Sequence, residues 1–123
     1  MNIENLRDHC LTLPGTSESF PFDESTLVFK VMNKIYALVN LDGDLSINLK
    51  CDPEKAIDLR ELYAFIVPGY HMNKKHWNTV HIDETVPGIL IKELINHSYQ
   101  LVVKGLSRKD KENLQEIAQN GKN

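Results

Sequence analysis

Between Tyr70 and Ile82 the chain reads YHMNKKHWNTVHI. His71, His76 and His81 are three of its five histidines, Trp77 is its only tryptophan, and Lys74 and Lys75 are adjacent. No Asp or Glu occurs from Leu62 through Ile82, whereas the whole chain carries a formal net charge of −3. Taking the two lysines away leaves −5 on the remainder, so a basic segment projects from an acidic body. Basic groups interleaved with flat rings suit phosphates and unstacked bases. Lysine attracts phosphate as a point charge and lacks the bidentate fork of arginine. Contact through this segment should therefore fall on the nucleic-acid backbone, with little sequence preference. Two lysines, joined by one or two histidines at lower pH, imply weak binding with a salt slope of roughly −2 to −3.

Each residue also has a plainer reading. Trp77 can anchor the core, with its indole N–H on a carbonyl. His71 and His76 can brace a turn, and the lysines can be a solvated turn tip. The spacing His71-x4-His76-x4-His81 does not match a metal motif, and positions five apart on a strand face opposite ways. No metal and no cofactor is expected. Cys10 and Cys51 have only His9 and Lys50 beside them in sequence, residues that point elsewhere, so thiol catalysis is not expected. Ser17 and Ser19 lack a nucleophile elbow, and the six glycines are scattered singly. Glu18, in the loop LPGTSESFPF, is the one acid placed to reach the basic segment and orient a histidine or lysine there; otherwise it solvates a turn. His97 and Ser98 are read as structural. The expectation is a non-catalytic protein that binds DNA or another phosphate-bearing ligand through the 70–82 hairpin, with Lys34 and Lys50 as further contacts from the sheet. The alternative is a protein-interaction or small-ligand module in which Trp77 forms a pocket with Tyr36 or Tyr70.

The rest of the chain bounds these choices. Its 123 residues fit a single domain, 1–123, and its 41% hydrophobic and 25% charged content is ordinary for a soluble protein. Two cysteines are too few for a disulfide scaffold, and no apolar run approaches the ~20 residues of a membrane span. The expectation is a cytoplasmic monomer without a membrane partner. A pI near 5.9 argues against nucleic-acid binding over the whole surface.

These side chains need elements to hold them. Ile3, Leu6, Cys10 and Leu13 recur at helical spacing, and PGTSES, 14–19, reads as turn and loop. The period then changes to two. STLVFKVM, IYALVNL and LSINLK alternate, with turns at Asn33-Lys34 and at Asp42-Gly43-Asp44, which predicts a three-stranded antiparallel meander with one wet face. Asp52 and Pro53 open a helix. AFIVPG reads as a short strand and NTVHI as another. The longest helix spans about 88–104, stopped by Gly105, and Ser107 caps a last one at 108–119. The order α-β-β-β-α-β-β-α-α indicates an α+β fold, with helices on one face of an antiparallel sheet.

LPGTSESFPF, KCDPEKAIDLRE, PGYHMNKKHWNTV and LINHSYQLVVKGL, in this order and at these spacings, resemble the MmcQ/YjbR family of small bacterial proteins. The resemblance runs from Asn5 to about Leu114. It implies a frataxin-like (CyaY-like) fold and a DNA-binding role. The iron chemistry of frataxin-like folds rests on a dense acidic ridge. The first helix here offers only Glu4 and Asp8, so that function is not carried over.

Overall fold

The computed structural model describes residues 1–69 and 72–121. In chain order it contains α1 (Ile3–Thr12), β1 (Thr16–Ser19), β2 (Thr26–Val31), β3 (Lys34–Asn40), β4 (Ser46–Lys50), α2 (Pro53–Leu62), β5 (Ile66–Pro68), β6 (Trp77–His81), α3 (Gly88–Lys104) and α4 (Arg108–Gln119). All strands pair antiparallel in one six-stranded sheet, ordered β1-β2-β3-β4-β6-β5. The fold is α+β.

The meander forms from consecutive strands, as the alternation requires. The β2–β3 turn falls one residue earlier than expected. Val31 pairs with Lys34, and Met32 and Asn33 both hold positive φ, the two-residue turn whose twist matches a hairpin. The PGTSES segment contains a strand where a loop was expected. Gly15, at φ +73°, turns the chain out of α1, and a Cβ there would lie only 2.6 Å from Leu114 of α4. The residues beyond it add to β2 as a polar edge strand.

The helices cover one face. α3 crosses β2, β3 and β4, α1 packs on β1, and α2 packs on β5. Their apolar stripes meet a core that includes Leu27, Phe29, Tyr36, Val39, Ile47, Val80 and Ile91. A bulge leaves Tyr36 outside the β2–β3 register. Its freed carbonyl accepts the Ser98 hydroxyl at 2.6 Å, and Ser98 Oγ in turn accepts the Lys50 N–H at 2.9 Å. Ser98 thus pins α3 to two strands.

The other face is not simply wet. One row across the sheet, Val28–Leu38–Asn48–Thr79–Val67, points away from the helices. Val28 and Thr79 are 0% exposed and Leu38 is 8% exposed. The alternation of polar residues along β4 gives no sign of this burial, whereas Val28 and Leu38 are themselves apolar.

Candidate nucleic-acid interface

The connection between β5 and β6 presents the lysines. Asn73 organises it. Its side-chain oxygen accepts the Lys75 N–H at 2.9 Å, and its carbonyl accepts the N–H groups of His76 and Trp77 at 3.1 and 2.9 Å. Such an Asx turn folds locally without help from a ladder. Lys74 and Lys75 stand exposed at its tip. Gly69 closes the base of the connection, its N–H donating to the Trp77 carbonyl at 2.9 Å. A Cβ at Gly69 would lie 2.9 Å from Trp77 Cβ and 3.1 Å from its carbonyl oxygen, so the two backbones meet this closely only with glycine.

Arg60, on α2, braces the turn from below. Its Nε donates to Asn78 Oδ1 at 2.6 Å, and its Nη2 donates to the carbonyls of Lys74 and Trp77. The fork of a guanidinium is what spans three acceptors at once. The His76 carbonyl accepts the Cys51 N–H at 2.7 Å, tying the turn to the β4–α2 junction. His76 itself is half-buried.

Asn78 faces the helices, since its side chain meets Arg60 and the Ala56 carbonyl. Strand alternation therefore sends Trp77 to the helix-free face, where it is half-buried directly across from Lys50. The same end of the sheet receives Lys30 and Lys34, which flank the β2–β3 turn. The opposite strand ends carry Asp23 and Glu24 before β2, Asp42 and Asp44 after β3, and Asp83 and Glu84 after β6. The lysine end is not free of acids, since Asp52 and Glu54 open α2 just after β4, but lysines outnumber them there.

Beside the turn, on the helix-free face, lies a groove of about 510 Å³. Leu38 and Ile35 form its floor, Phe22 and Met72 its walls, and Asn48, Asn40, Thr26 and Asp23 its polar edge. Phe22 is 65% exposed.

Several expected placements change. Glu18 does not reach the basic turn. It sits on the edge strand β1, four strands from β6, and grips Arg7 of α1 bidentately at 2.6–3.0 Å. The neighbouring strands separate it from the turn by roughly 19 Å. Tyr36 is fully buried in the helix-side core, so it cannot share a pocket with Trp77. Tyr70 and His71 lie outside the described residues. His76 and His81 stand at opposite ends of β6, roughly 16 Å apart along a strand. Among the described residues no group of three or more His, Cys, Asp or Glu is gathered to hold a metal ion. Burial pushes the Cys10 thiol up to about 12 and the Cys51 thiol up as well, so neither is poised as a thiolate.

Reading the basic segment alone missed Arg60, Phe22, Asn48 and Met72. Arg60 and Phe22 do lie within the blocks KCDPEKAIDLRE and LPGTSESFPF. What no linear reading supplies is that both blocks border the turn.

A family model described as YjbR matches residues 11–101, a span that includes the turn, its Arg60 brace and the groove. Uncharacterized protein YbdF of Escherichia coli O157:H7 is 43% identical over 108 residues, covering 87% of this chain and 88% of that protein. Uncharacterized protein YjbR of Escherichia coli strain K12 is 34% identical over 104 residues, covering 84% and 88% respectively. The crystal structure of Deinococcus radiodurans protein DR2400, domain DUF419, matches with a TM-score of 0.85 at 45% identity, over 93% of this chain and 88% of that one.

Proposed function

The chain belongs to the YjbR family, and for it we propose weak, largely sequence-independent nucleic-acid binding at the 72–77 turn. One observation carries the reading. The exposed pair Lys74 and Lys75 is held by Asn73 and Arg60 at the end of the sheet where Lys30, Lys34 and Lys50 also lie. A rigid, locally positive tip on an acidic protein favours phosphate there and repels it elsewhere. Trp77 and Lys50 extend the same surface onto the helix-free face.

We infer a binding module without catalysis, acting as a cytoplasmic monomer. Raised thiol pKa values support the first part, and no helix among the described residues is long and apolar enough to cross a membrane. A frataxin-like arrangement is part of the same proposal, supported by helices packed on a single face of an antiparallel sheet. The second reading, a small-ligand module, draws its support from the groove beside Met72.

The test is fluorescence anisotropy with labelled single-stranded and duplex DNA at low salt. Lys74→Ala with Lys75→Ala should weaken binding at least tenfold and leave the unfolding midpoint unchanged, since both residues are exposed. A double variant that binds like the parent removes the turn as the nucleic-acid site.

A further inference from the structure

We propose that the groove on the helix-free face receives an unstacked base of a single-stranded polynucleotide whose phosphates rest on Lys74 and Lys75. This rests on the nucleic-acid reading above and names the form of strand it would take. The groove and the lysines are adjacent. Met72 lines the one, and only Asn73 lies between it and Lys74, a reach of at most about 7 Å.

The groove's chemistry suits a base and not a phosphate. At about 510 Å³ it falls in the range of small-ligand sites. Phe22, 65% exposed, offers a flat apolar face of the kind on which bases stack. Asn48 Oδ1 accepts the Thr79 hydroxyl at 2.5 Å, which fixes the amide and leaves its NH₂ to donate to a base edge. The Asp23 carboxylate on the rim is kept ionised by the N–H of Ser25, aided by the Thr26 hydroxyl and N–H. A negative rim repels phosphate and admits the neutral part of a nucleotide. Charged and uncharged halves of one ligand therefore find separate, neighbouring surfaces.

The experiment compares an oligothymidylate with an abasic strand of equal length and charge, titrated into the full chain by anisotropy. The base-bearing strand should bind about five- to 150-fold tighter, the value of one stacked base. Phe22→Ala should erase that margin while abasic binding stays at the parent's level. Because Phe22 is exposed, the variant's unfolding midpoint should not move. Equal affinities for the two strands in the parent, or a margin that survives Phe22→Ala, would overturn the groove assignment. If the abasic strand binds and loses affinity in the Lys74→Ala, Lys75→Ala variant, the nucleic-acid reading stands even when the margin is absent. If neither strand binds, both readings fall together.

Discussion

Arg60 acts on the site without contributing its charge to a ligand. Its guanidinium faces the carbonyls of Lys74 and Trp77 and the Asn78 amide oxygen, so it holds the turn from the protein side. Arg60→Ala should cost about 2–3 kcal/mol in urea unfolding, because the part-buried Asn78 amide oxygen and Trp77 carbonyl lose a charged donor. Arg60→Lys should recover little of it, since an ammonium cannot span three acceptors. Full recovery with lysine would mean that charge alone matters there. His97 supplies a second residue-scale expectation. Its Nε2 accepts the Asp52 N–H at 3.2 Å and must be unprotonated to do so. Burial, followed by the Lys55 charge, holds its pKa below 6.5, against a smaller upward pull from Asp52. The unfolded chain then binds the extra proton first, so this contribution is present above about pH 6.5 and lost as pH falls below it. Urea midpoints followed from about pH 7 to pH 5 should drop more for the parent than for His97→Gln. Parallel curves would contradict that sign.

Among the elements, the β5–β6 connection depends on a close approach of two backbones at Gly69 and Trp77. Gly69→Ala places a Cβ 2.9 Å from Trp77 Cβ, and should destabilise by about 1–3 kcal/mol. It should also shift the fluorescence of Trp77, the chain's only tryptophan. An unchanged spectrum would show that the turn is looser than described. Helices and buried strands were legible in the sequence because their apolar spacing is local. The stripe from Leu90 to Val102 and the Ser107 cap gave α3 and α4 bounds close to those observed. The edge strand β1 was not legible. TSES carries no apolar alternation, and an edge strand needs only backbone pairing. The site was half legible. Lys74, Lys75 and Trp77 stand out by composition. Arg60 and Phe22 join them only through contacts that span α2 and the loop before β2, whereas the burial of Val28 and Leu38 agrees with the unbroken apolar runs 27–29 and 36–39.

At the scale of the whole molecule, the decisive property is the gathering of lysines at one end of the strands. A net −3 predicts weak attraction to any polyanion, yet Lys30, Lys34, Lys50, Lys74 and Lys75 converge at one end of the sheet. Binding should therefore be governed by a few phosphate contacts and should fade quickly with salt. The measurement closest to this claim is the dependence of affinity on salt for single-stranded DNA, in the parent and in the Lys74→Ala, Lys75→Ala variant. Three contacts, from Lys74, Lys75 and Lys50, predict a slope of about −2 in log affinity against log salt, falling to about −0.7 in the variant. A parent slope near zero, or one that the double substitution leaves unchanged, would contradict phosphate binding at the turn.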